Sequence, residues 1–144
     1  MPKAELVHSI KRLSVLMNQR IDDILKAHGM ARSQFQVLYL INKSGKLTQK
    51  KLLEILKVEP ATLSGLIGTL EHKDFVKRSI TDKDRRSKSL ELTKSGYEII
   101  AKIPHPGLLV EASMFRDVSN SDKKAFKRIC AKVIENLEPS DLTK

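Results

Sequence analysis

The chain has no tryptophan, and aromatic residues make up only 4% of it. Single-stranded nucleic acid is held largely by rings on which bases stack, so that class of binding is disfavoured. Cys130 is the single cysteine, which excludes an intrachain disulfide and agrees with a reducing compartment. It falls within an apolar stripe, so it reads as packing rather than as a redox thiol. The four histidines, His8, His28, His72 and His105, are scattered without ligand spacing, and no metal is expected. There is no Gly-rich phosphate loop, and Glu54, Glu59, Asp82 and Asp84 form no carboxylate pair beside a base or nucleophile. Nothing points to an enzyme or a cofactor. No apolar run reaches the length of a membrane span, and Met1-Pro2-Lys3-Ala4 leads into an amphipathic pattern rather than a signal peptide. A cytoplasmic protein is expected.

Acidic residues are scarce as well, 17 against 27 Lys and Arg, for a formal net charge of +10. Such a balance favours an anionic partner, nucleic acid or a membrane surface. With 144 residues the chain suits one compact subunit.

The most informative stretch runs from Thr48 to Thr93. Thr48 offers an N-cap oxygen, and Leu47 and Leu52 stand where a hydrophobic staple places its two residues, so a helix is expected to start there. Leu52, Leu53, Ile55 and Leu56 give it one apolar stripe, with Gln49 and Lys50 outward. Lys57-Val58-Glu59 forms a turn, and Pro60 opens a second helix at the position where its missing N–H costs nothing. Leu63, Leu66, Ile67 and Leu70 then fall at i, i+3, i+4 and i+7, a single buried face. The opposite face carries Ala61, Gly65, Gly68, Thr69 and His72. Glycine in a helix interior costs roughly 1 kcal/mol relative to alanine, so two on one face need a reason. Either the floor of a DNA major groove comes close, or another part of the fold does.

Val76, Arg78 and Ile80 alternate with Lys77 and Ser79, and Leu90 and Leu92 flank Glu91, the period of two strands. Between them lies the basic run Asp82-Lys83-Asp84-Arg85-Arg86-Ser87-Lys88. Arginines on a hairpin tip can enter a narrow minor groove, where the negative potential is strongest. Helix, turn, helix and hairpin together spell a winged helix-turn-helix.

Glu59-Pro60-Ala61-Thr62-Leu63-Ser64-Gly65-Leu66-Ile67, then Phe75-Val76-Lys77-Arg78, Asp82-Lys83-Asp84-Arg85-Arg86 and Leu92-Thr93-Lys94-Ser95-Gly96, resemble the MarR family of transcription regulators. The most specific part is D-x-x-D-R-R followed by L-T-x-x-G, and Ser33-Gln34-Phe35-Gln36-Val37-Leu38 resembles the helix before the family's helix-turn-helix. The resemblance implies a homodimer with a recognition helix in each of two major grooves. It further implies Arg86 in the flanking minor groove, Asp84 as the acid that helps hold it, and Ser64, Gly65, Gly68 and Thr69 facing the bases. Gly65 and Thr69 stand where relatives commonly carry longer polar side chains, often arginine. Glycine cannot make the bidentate contact to guanine, so groove shape and the wing are expected to carry more of the discrimination. Asp74 replaces the family's usual glycine after the recognition helix, and aspartate tolerates a left-handed cap better than most residues.

On either side of this stretch the pattern is helical. Ala4 to His28 carries Leu6, Ile10, Leu13, Met17 and Ile24 at steps of three and four, widened by Leu16, Ile21 and Leu25, with Gly29 closing the helix. So wide a face suits a helix shared with a second subunit, or one buried within a monomer. Phe35 to Asn42 reads as a second helix ended by Ser44-Gly45. After the hairpin, Thr93 caps a helix through Ile103, and Pro104-His105-Pro106-Gly107 either kinks or breaks it. Leu108 to Phe115 resumes helical character. Ser119 to Asp122 is a capping cluster for a last helix with Phe126, Ile129, Cys130, Val133, Ile134 and Leu137 along one stripe. The fold class expected is mainly α with a small β-hairpin wing. Residues 31–96 form the DNA-binding winged helix-turn-helix, and residues 1–30 and 97–144 an intertwined dimerisation region.

The sequence therefore points to a homodimeric, sequence-specific double-stranded DNA-binding regulator, a repressor, on a pseudo-palindromic site. Its candidate contacts are Gln49, Lys50, Thr62, Ser64, Gly65, Gly68, Thr69, Lys73, Lys77, Arg78, Lys83, Asp84, Arg85, Arg86 and Lys88. The resemblance adds release by a small aromatic or phenolic effector, for which Met17, Arg20, Tyr39 and His8 are candidate contacts. The competing readings are a winged-helix protein-interaction module and a non-specific architectural DNA-binding module. A basic first helix lying on anionic membrane is a weaker one, since its apolar face is too wide and its polar face too mixed.

Overall fold

The computed structural model describes residues 3–80 and 88–139. Among them the elements run α1 (Glu5–Lys26), α2 (Arg32–Ser44), β1 (Leu47–Thr48), α3 (Gln49–Leu56), α4 (Pro60–His72), β2 (Val76–Ile80), β3 (Lys88–Leu92), α5 (Lys94–Lys102), α6 (Pro106–Met114) and α7 (Asn120–Leu137). The chain divides into two compact units after Pro106.

Local chemistry explains most of these boundaries. At the end of α1 the Met30 and Gly29 amides donate to the Leu25 and Lys26 carbonyls at 3.1 and 3.0 Å. This is the Schellman pair, and it needs the left-handed φ of 66° that Gly29 supplies. The second helix is longer than Phe35 to Asn42. Its N-cap, Ala31, has no side-chain acceptor, but Gln34 Oε1 accepts the Ala31 amide at 3.1 Å and moves the start three residues earlier. Thr48 Oγ1 accepts the Lys51 amide at 3.1 Å and starts α3 as expected.

The expected hairpin forms from β2 and β3, and the sheet holds one strand more. Leu47 and Thr48 form a third, two-residue strand against β3, so the antiparallel order is β1-β3-β2. Val76 stands opposite Leu92 and Arg78 opposite Leu90, leaving Val76, Leu90 and Leu92 buried under the helices. With them Leu25, Val37, Leu38, Ile41, Leu52, Leu63, Ile67 and Leu70 make one core. Ile55, placed in the buried stripe of α3 by its spacing, is instead 45% exposed, because the eight-residue helix offers its neighbours only the Leu52 side.

The L-T-x-x-G motif is a joint. Leu92 is buried, and Thr93 accepts from the Gly96 amide at 3.0 Å while its hydroxyl donates to the Asp74 carbonyl at 2.5 Å. A Cβ on Gly96 would run into the Phe75 carbonyl oxygen. Glycine there lets α5 seat directly on the strand that follows α4. Further on, Ile103 leaves the helical region at ψ 117°, as the residue before a proline prefers, and α6 begins at Pro106. The proline pair therefore makes two helices rather than one kinked helix.

In the second unit Ser119 caps α7 through the Asp122 amide at 3.0 Å. Phe115 and Phe126 meet edge to face at 5.6 Å, and Lys123 sits over the Phe115 ring. None of the residues of α7 is buried. Among the described residues no helix is long and apolar enough to cross a membrane.

Candidate nucleic-acid interface

The two helices α3 and α4 are joined by three residues, of which Lys57 takes a left-handed φ of 54° and donates its amide to the Leu53 carbonyl at 2.9 Å. Leu63, Ile67 and Leu70 hold α4 down on the core, which leaves its other side to solvent. Ala61, Thr62, Ser64, Gly65, Gly68 and Thr69 are all exposed there. A Cβ built on Gly65 or Gly68 meets nothing within 4 Å. Among the described residues, therefore, no helix contact requires these glycines.

Of the three hydroxyls on this face, those of Thr69 and Ser64 have partners within the chain. Thr69 Oγ1 donates back to the Gly65 carbonyl at 3.0 Å, the usual habit of threonine inside a helix. Ser64 Oγ accepts from Gln49 Nε2 of α3 at 2.9 Å. Gln49, expected to point outward, is therefore half-buried between the two helices.

The end of α4 is a second Schellman pair, with the Phe75 and Asp74 amides on the Leu70 and Glu71 carbonyls at 2.9 and 3.0 Å. Asp74 occupies the left-handed position, φ 63°, in place of glycine. The turn directs the chain into β2, where Arg78 Nε donates to Glu71 Oε1 at 3.0 Å. Arg78 is thus tied to the end of α4. No spacing rule signals that pairing, since it joins a helix terminus to a strand. Lys77 and Lys46 flank Glu91 at 3.5 and 3.8 Å. Lys50 and Lys73 are exposed, with no ion pair among the described residues. Lys83, Asp84, Arg85, Arg86 and the Lys88 side chain lie outside the described residues.

The candidate effector contacts lie on α1 and α2. Tyr39 packs against Phe35 at 6.1 Å and edge-on to His105 at 5.4 Å, Met17 is half-buried, and Arg20 and His8 are exposed. A hollow of about 530 Å³ in the first unit opens beside the salt-bridged Arg32 and Asp22 at the start of α2. Among the described residues no three His, Cys, Asp or Glu side chains converge as a metal site, and Cys130 is half-buried.

A helix-turn-helix whose second helix presents a bare, exposed face, followed by a paired hairpin, defines the winged-helix class of DNA-binding proteins. The family model described as "MarR family" matches residues 30–88. The uncharacterized HTH-type transcriptional regulator YwoH of Bacillus subtilis is 31% identical over 124 residues, covering 86% of this chain and 90% of that one. Among solved structures, a MarR-like transcription regulator from Bacillus cereus superposes with a TM-score of 0.81 at 20% identity, over 93% of this chain and 96% of that one. MepR of S. aureus, solved in complex with DNA, gives 0.79 at 23% identity, over 91% and 96%. The chain belongs to the MarR family of winged-helix, DNA-binding transcription regulators.

Proposed function

We propose that the protein is a homodimeric repressor that binds a pseudo-palindromic duplex site and is released by a small aromatic or phenolic effector. The observation that carries the DNA reading is the face of α4. Two helix-interior glycines with open space around them among the described residues suit a helix whose backbone approaches another surface closely. Residues 31–96 are the proposed DNA-binding part, with residues 1–30 and 97–144 serving dimerisation. Support for a dimer comes from apolar side chains left in solvent: Leu6, Ile10 and Leu16 on α1, and Ile129, Ile134 and Leu137 on α7. Rows of this size on a single chain favour a second copy as their cover. Two-fold symmetry then spaces the recognition helices about one DNA turn apart.

The test is fluorescence anisotropy against duplex DNA from immediately upstream of the protein's own gene, at two salt concentrations, with unrelated duplex as competitor. Preference for the upstream duplex, steep weakening with salt and loss of affinity in Arg86→Ala support the reading. Absence of duplex binding at low salt rejects it, and the winged helix is then a protein-interaction module. Release by an effector requires that the ligand favour the incompetent conformation, so a releasing phenolic compound must also bind the free protein.

A further inference from the structure

The geometry points to Gln49 as a positioning residue that makes the Ser64 hydroxyl a hydrogen-bond donor toward the major groove, so that α4 selects an acceptor on a base edge. This rests on the DNA-binding reading and deepens it. The exposed face of α4 holds few groups able to read a base. Ala61, Gly65 and Gly68 have no polar atom in their side chains, the Thr69 hydroxyl proton is committed to the Gly65 carbonyl, and the other polar side chains, Thr62 and His72, stand towards the two ends of the helix. Ser64 differs because Gln49 Nε2 donates to its oxygen at 2.9 Å. One lone pair is occupied, and the hydroxyl proton has no partner among the described residues. A serine inside a helix ordinarily turns that proton back to a carbonyl one turn earlier, as Ser113 does to Leu109 at 3.3 Å. In Ser64 no described residue accepts it, which leaves it available to a bound partner.

The chemistry of the partner follows. A donor is satisfied by purine N7, guanine O6 or thymine O4, all acceptors in the major groove, whereas cytosine presents its amino group as a donor. The neighbouring glycines keep the helix surface low enough for so short a side chain to reach a base edge. Gln49 itself stays on α3, the helix that crosses the phosphate backbone in this motif, and acts on sequence choice only through Ser64.

Binding-site selection from a random duplex pool, followed by competition titrations, tests this with the wild type, Ser64→Ala, Ser64→Thr and Gln49→Ala, each checked by thermal unfolding. The wild type should disfavour cytosine at one position of each half-site by roughly tenfold. Ser64→Ala should flatten that position alone, Ser64→Thr should keep it, and Gln49→Ala should weaken the preference at the same position. Replacing a selected purine there by its 7-deaza analogue should weaken the wild type and leave Ser64→Ala unchanged. A selection profile unaltered in Ser64→Ala overturns the inference while leaving the DNA-binding reading intact. Gln49→Ala that lowers affinity equally at all positions overturns its positioning role. A wild type that selects no duplex overturns the functional reading, and this inference with it.

Discussion

At Gly96 an added Cβ meets the Phe75 carbonyl oxygen, while at Gly65 and Gly68 it meets open space. The three glycines answer opposite questions, and substitution separates them. Gly96→Ala should destabilise the fold by about 1–3 kcal/mol, because the obstructing atom is backbone and α5 must lift from it. Gly65→Ala and Gly68→Ala should each stabilise it by about 0.5–1 kcal/mol, the usual gain of alanine over glycine inside a helix, and should weaken duplex binding. Urea unfolding and anisotropy on the same preparations measure both quantities. A gain in stability without loss of affinity would remove the close-approach reading of α4. Exposure of Gly65 and Gly68 was legible from the spacing of Leu63, Leu66, Ile67 and Leu70. What faced them was not, since that depends on segments distant in the chain. The Gln49 to Ser64 bond was invisible for the same reason, joining residues 15 positions apart.

Among the elements, helix starts were legible wherever a side-chain hydroxyl fixed them. Thr48, Thr93 and Ser119 each accept an amide in the first turn, as their sequence contexts imply. The start of α2 was misplaced because Ala31 carries no such oxygen, and only the reciprocal Gln34 bond marks it. The strand β1 was missed because a two-residue strand has no period, and Thr48 is already occupied as the cap of α3. The wing tip, read in the sequence as the seat of the minor-groove arginine, falls outside the described residues. Thr93 is the most heavily used cap, since its hydroxyl joins α5 to the end of α4 as well as capping α5. Thr93→Ala should therefore cost about 1–2 kcal/mol, and Thr93→Ser, which keeps both bonds, clearly less. Equal losses in the two variants, followed by chemical denaturation, would show that the methyl group rather than the hydroxyl matters.

For the whole molecule, the question is which surfaces the chain leaves unmatched. Ile10 and Ile129 are 56% and 53% exposed, so Ile10→Glu and Ile129→Glu should scarcely alter the subunit's own packing, yet should shift the sedimentation coefficient toward the monomer and weaken binding to a two-fold site. Unchanged sedimentation would assign those rows another role. The net charge of +10 is likewise unevenly available. Lys46, Lys77, Arg78 and Arg32 already face carboxylates, whereas Lys50 and Lys73 on the helix-turn-helix carry no ion pair among the described residues. Each cation that neutralises a phosphate releases counterions, and the slope of log affinity against log salt falls by about 0.9 per phosphate contact on duplex DNA. Lys50→Ala should therefore make that slope shallower by about 0.9 and weaken all duplexes alike. Lys77→Ala should change it by less, because the Lys77 ammonium is shared with Glu91 at 3.5 Å. Affinity measured over a salt series for both variants decides the point: slopes that fall equally would mean that Lys77 abandons Glu91 for a phosphate when DNA arrives, and an unchanged slope in Lys50→Ala would place the first turn of α3 away from the backbone.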